Sequence, residues 1–133
     1  MDILIVTNNN KVYETYKGKM DVLYLKGSSY LKVLEQARDL IHLGARLLSD
    51  PMAGNLRPNQ TPYKSVLLEG MLDSGRIPEF TDTALDRDSL RQIECSIGMA
   101  KLFQDISKTP DWPLTVKEDF MTVDLSLLGS AIS

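Results

Sequence analysis

The sequence predicts an α/β fold: a small three-layer domain with a mainly parallel four-stranded sheet and helices on both faces. Three observations lead there. Short apolar runs of strand length alternate along the chain with segments of helical period. The first run, Ile3-Leu4-Ile5-Val6, is apolar at every position, as a strand covered on both faces must be. The chain of 133 residues, 43% hydrophobic and 25% charged, is the size of one domain and can bury a core without disulfides or metals.

The elements follow in order. The opening strand ends in Thr7-Asn8-Asn9-Asn10, and a short helix or turn covers residues 11–16. Val22-Leu23-Tyr24-Leu25 reads as a second strand closed by Gly27. Ser28 or Ser29 can accept a bond from a free backbone N–H and so cap the helix that follows. On that helix Tyr30, Val33, Leu34, Ala37 and Ile41 fall on one face, and Gly44 ends it. Residues 45–48 read as a third strand and residues 63–68 as a fourth. The connection between them shows no helical period, so an antiparallel edge pairing is open to the fourth strand. Residues 69–85 read as a variable loop. A long helix over residues 86–106 presents Leu90, Ile93, Ile97, Ala100 and Phe103, and Thr109-Pro110-Asp111-Trp112-Pro113 breaks the chain after it. Asp124 is expected to cap a short last helix carrying Leu125, Leu128 and Ile132.

Composition removes several function classes. Net charge is −3 with the signs interspersed, so no basic stripe awaits nucleic acid. No apolar run approaches the roughly 20 residues that span a bilayer. The N-terminus lacks the basic and cleavage-site features of a signal peptide. The lone Cys95 cannot form an internal disulfide, and a cytoplasmic setting is expected. Neither G-x-G-x-x-G nor G-x-x-x-x-G-K-[ST] occurs, leaving a dinucleotide or triphosphate site unsupported. With one histidine and one cysteine a zinc site is implausible, and no cofactor is expected.

The most informative stretch is residues 49–62, SDPMAGNLRPNQTP. Three of the six prolines fall in it, beside Gly54, Asn55, Asn59 and Thr61. Ligands of open α/β sheets bind beyond the carboxyl ends of strands. This loop and Asn8-Asn9 both leave such ends. The candidate ligand-binding residues are therefore Asn8, Asn9, Ser29, Ser49, Asp50, Gly54, Asn59, Thr61 and Tyr63, whose amides, hydroxyls and carboxylate suit a small polar metabolite or an anion. Turn chemistry alone also accounts for Asn8 and Asn9. Tyr63 and Lys64 follow the loop directly and either aim a ring and an ammonium into the cleft or pack a strand edge.

Other residues read structurally. His42 stands in the last turn of a helix, where a cation complements the dipole. Cys95 reads as an inert helical thiol. Glu79, Asp82, Asp86 and Asp88 favour the positive end of a helix, and Glu118-Asp119-Phe120 reads as a solvated turn. Trp112 reads as a plug for the C-terminal segment ahead of an interface anchor. No catalytic constellation emerges, and the sequence leans away from an enzyme, with a hydrolase or transferase built on Asp50, His42 or Tyr63 left open.

Four motifs then carry a family resemblance: M-D-I-L-I-V-T-N-N from residue 1, S-Y-L-K-V-L-E from residue 29, R-D-L-I-H-L-G from residue 38, and S-D-P-M-A-G-N-L-R-P-N-Q-T-P-Y-K-S from residue 49. Together they resemble the GrdX family, small proteins associated with gene clusters of glycine, sarcosine and betaine reductases in anaerobic amino-acid-fermenting bacteria. The resemblance implies an accessory or regulatory role beside such a reductase, with a reductase component or a second copy of the chain as partner. It carries over no catalytic residues.

Overall fold

The computed structural model describes residues 2–52, 54, 56–70 and 85–132. The chain forms an α/β fold of four strands and four helices among these residues. Strand β1 (Ile3–Thr7) is followed by helix α1 (Asn10–Tyr16), strand β2 (Asp21–Tyr24) and helix α2 (Tyr30–His42). Strands β3 (Arg46–Leu47) and β4 (Ser65–Glu69) come next, then helices α3 (Arg87–Ile106) and α4 (Leu114–Ile132). The variable loop expected over residues 69–85 lies mostly outside the described residues.

The sheet runs β2-β1-β4-β3. Only β1 and β2 pair parallel, with Thr7 opposite Tyr24. Strand β4 is antiparallel to both of its neighbours, β1 and β3. The expected mainly parallel sheet is therefore mixed. The antiparallel direction anticipated for the last strand is found, but not its edge position: β4 lies inside the sheet. The reason is in its residues. Val66, Leu67 and Leu68 are all buried, and a strand apolar on both faces belongs in the interior. The two-residue β3 takes the edge instead.

Because alternate side chains point to opposite faces, β1 and β4 feed two cores. Leu4, Val6, Val66 and Leu68 pack with Val33, Leu34, Ala37 and Ile41 of α2 and with Ile93, Ile97 and Ala100 of α3. Ile5 and Leu67 pack with Val12 of α1 and Leu128 of α4.

The helix starts follow their capping residues. The Asn9 side chain accepts from Lys11 N, and that of Ser29 accepts from Lys32 N. After α2 the chain turns at Gly44, whose φ of 114° is the left-handed conformation expected there. Helix α4 departs from expectation. It begins directly after Pro113, whose carbonyl accepts from Val116 and Lys117 N–H, so Glu118-Asp119-Phe120 is helical rather than a turn. Proline at a helix start loses no intrahelical bond. Asp124 consequently sits in the middle of α4, not at its cap, and it is buried.

One consequence of the strand directions positions the site. Strand β3 runs in the same sense as β1 and β2, since both β1 and β3 oppose β4. The carboxyl ends of β1, β2 and β3 and the start of β4 thus meet at one end of the sheet.

Candidate functional site

At that end Thr7 pairs with Ser65, which brings Asn8 beside Lys64. Asn8 is committed to holding the strands and loops together. Its Nδ2 donates to the carbonyls of Ser28 (2.8 Å) and Pro62 (2.9 Å), and its Oδ1 accepts from Lys64 N at 2.9 Å. Asn9 is equally committed. Its Oδ1 caps α1, and its Nδ2 donates to Met121 O (2.9 Å) and Asp124 Oδ2 (3.0 Å).

Asp124 projects from α4 onto the end of the sheet. Ser65 Oγ donates to its Oδ2 at 2.7 Å, so Thr7 Oγ1 must donate to Ser65 Oγ across 2.7 Å. Asn9 N in turn donates to Thr7 Oγ1 at 3.0 Å. This relay holds a carboxylate that is only 7% exposed. Burial raises the Asp124 pKa, and the bonds from Asn9 and Ser65 and the Lys64 charge oppose that rise.

Lys64 faces it under different terms. It is 9% exposed, and its Nζ has no hydrogen-bond acceptor among the described residues. The ammonium stands 5.7 Å from the centre of the Tyr30 ring, a cation–π contact. Burial lowers its pKa, against the raising influence of the Asp124 and Asp50 charges. The nearby Tyr30 hydroxyl has only Met52 Sδ, at 3.8 Å, and its pKa is pushed up mainly by burial.

The described residues of the 49–62 stretch form the far wall. Asp50 Oδ1 accepts from Met52 N and shapes the turn. Gly54 has φ 105°, and a Cβ there would stand 2.9 Å from Leu127 Cδ1, so the loop approaches α4 as only glycine allows. Asn59 Nδ2 donates to the carbonyls of Phe103 and Ser107, closing the C-terminus of α3. Trp112 Nε1 donates to Gln60 O while its ring lies 5.8 Å from that of Phe120, so Trp112 ties loop to α4. These anchors tie the loop to α3 and α4.

Two small cavities adjoin Lys64 and Asp124, which line both. One, of about 20 Å³, is walled also by Tyr30, Met52, Thr61 and Tyr63. The other, of about 50 Å³, is walled also by Ser49, Asp50, Ser65 and Leu128. A third, open cleft of about 280 Å³ lies beside Asn8, Tyr24, Tyr63 and Lys117. Tyr63 lines both the first cavity and the open cleft.

Of the residues expected from sequence, Ser49, Asp50, Thr61 and Tyr63 thus meet at the paired cavities. Asn9 supports Asp124, Gly54 packs on Leu127, and Asn8 borders the open cleft. Ser29 caps α2 and Asn59 caps α3, and neither lines a described cavity. The expectation missed Asp124, Ser65 and Tyr30. Asp124 carried a signal, a lone acid within the run V-D-L-S-L-L, but the misplaced helix start hid it.

The remaining candidates lie elsewhere. His42 occupies the last turn of α2, and Cys95 is exposed on α3. Asp86 accepts from Ser89 Oγ at the start of α3, while Glu79 and Asp82 fall outside the described residues. Among the described residues no cluster of acids, histidines or cysteines is arranged to hold a metal, and no helix is long and apolar enough to cross a membrane.

Fold and site define an α/β protein with a buried amine and a buried carboxylate beside small cavities at the strand ends. The chain matches the family model of GrdX-like proteins over residues 4–133 and belongs to that family. No curated protein and no solved structure matches it.

Proposed function

We propose that this chain is a non-catalytic accessory protein of a glycine, sarcosine or betaine reductase system, and that it works by holding a small charged metabolite at Lys64 and Asp124. Membership of the GrdX-like family supports the setting. One observation carries the binding role: Lys64, a residue only 9% exposed, lines both cavities, and its Nζ has no hydrogen-bond acceptor among the described residues. An ammonium on a largely buried residue is poorly hydrated and gains from an acceptor, and an anionic group in the cavity supplies one.

A thermal-shift screen of amino acids, methylamines, phosphates and nucleotides tests this, since a ligand of the folded state raises the melting temperature. A rise with at least one small charged compound, lost in Lys64→Met, is expected. A flat response throughout rejects the binding role.

The partner in this reading is a reductase component. Met99, Leu102 and Ile106 support it: they stand exposed along one face of α3, as contact surfaces often do. Pull-down from cells fermenting glycine should recover a reductase component, and Leu102→Glu should reduce the yield. Recovery of none rejects the contact.

A further inference from the structure

The paired cavities share Lys64 and Asp124 and differ in what else lines them. The first holds two donors lacking a strong acceptor among the described residues, the Lys64 ammonium and the Tyr30 hydroxyl, the latter bonded there to the Met52 thioether. The second adds a second carboxylate, Asp50, and the hydroxyl of Ser49. Both side-chain bonds to Asp124 fall on Oδ2, so Oδ1 accepts from no described side chain.

Each simple ligand fits half of this arrangement. An anion matches Lys64 and Tyr30 but lies close to two carboxylates. A cation matches Asp124 and Asp50 but leaves Lys64 without an acceptor and adds a like charge beside it. A molecule bearing both charges answers each half. Size narrows the choice further. A water-sized group needs roughly 10–15 Å³ of such space, so cavities of about 20 and 50 Å³ take roughly five to seven non-hydrogen atoms between them. A trimethylammonium head fills most of that alone. A primary ammonium does not, and it also donates three hydrogen bonds.

We propose that the site binds a small zwitterion, an unbranched amino acid of glycine's size, with its carboxylate on Lys64 Nζ and the Tyr30 hydroxyl and its ammonium on Asp124 and Asp50. This rests on the small-ligand reading above and names the ligand class.

Calorimetric titration of the full chain with glycine, acetate, methylammonium and inorganic phosphate separates the possibilities. Glycine should bind at least tenfold more tightly than any of the other three. Lys64→Met should weaken glycine at least tenfold and Tyr30→Phe severalfold, with circular dichroism unchanged. Should Lys64→Met not fold, Tyr30→Phe, which keeps the ring, carries the same test. Acetate, methylammonium or phosphate binding as tightly as glycine overturns the zwitterion while leaving a small-ligand site standing. Glycine affinity unchanged in both variants also overturns it. Silence from all four probes, joined to a flat wider screen, overturns both readings.

Discussion

Two clefts open at the same end of the sheet, and they differ in what their polar groups are doing. Beside the open cleft, Asn8 has both its amide and its carbonyl engaged by backbone groups of the protein. Beside the smaller cavities, Lys64 is a largely buried residue whose Nζ has no hydrogen-bond acceptor among the described residues. Tyr63 lines both. The larger space is thus bordered by a group that builds the fold, and the smaller one by groups whose bonding is incomplete. Volume alone points to the open cleft; unfinished hydrogen bonding points to the smaller cavities.

Substitutions on the two sides should therefore behave oppositely. Asn9→Ala should have the largest effect. It removes the α1 cap and leaves Met121 O and the buried Asp124 carboxylate short of a donor. A loss of about 3 kcal/mol is expected in urea denaturation. Gly54→Ala forces a side chain into a left-handed conformation against Leu127 and should cost about 1–2 kcal/mol. Asn59→Ala frees two carbonyls at the partly exposed end of α3 and should cost about 1 kcal/mol.

The charged pair gives a smaller effect with a sign. Burial raises the Asp124 pKa above its ordinary 3.8, so the folded state binds a proton that the unfolded state has released. Wild type should lose stability relative to Asp124→Asn as pH climbs from 3.8, until Asp124 ionises in the folded protein. Lys64 lies below its ordinary 10.5, so the folded state sheds its proton first. Wild type should gain stability relative to Lys64→Met as pH rises towards 10.5. Parallel denaturation curves across pH check both signs.

The smallest effect is expected for Lys64→Met at neutral pH, a change within about 1 kcal/mol, because an apolar chain of similar length replaces an ammonium whose burial cost its attraction to Asp124 and Asp50 roughly offsets. A loss as large as that of Asn9→Ala would place Lys64 among the building residues and erase the contrast between the clefts.

Much of this was legible in the sequence. The consecutive apolar run of β1, the Ser29 cap and the face of α2 follow from local rules and are found. The direction of the sheet was less legible, because β4 is ordered by burial on both faces against β1 and β3, partners distant in sequence. Half of the polar residues lining the paired cavities were legible for a similar reason. Ser49, Asp50, Thr61 and Tyr63 lie next to a strand end, where spacing alone locates them. Asp124 and Tyr30 reach the same place on helices α4 and α2, and only tertiary packing brings them there. The helical capping signals were read correctly at Ser29 and wrongly at Asp124. An acid before an apolar run marks a helix start only when no earlier start exists, and Pro113 supplies one.

The central claim is that the charged cavities, not the open cleft, receive the ligand. Amide chemical-shift mapping of labelled protein during a glycine titration tests it most directly. The account predicts shifts concentrated at Tyr30, Asp50, residues 63–65 and Asp124. Shifts centred on Tyr24, Gly27, Ser28 and Lys117, with Asp124 unmoved, would contradict it.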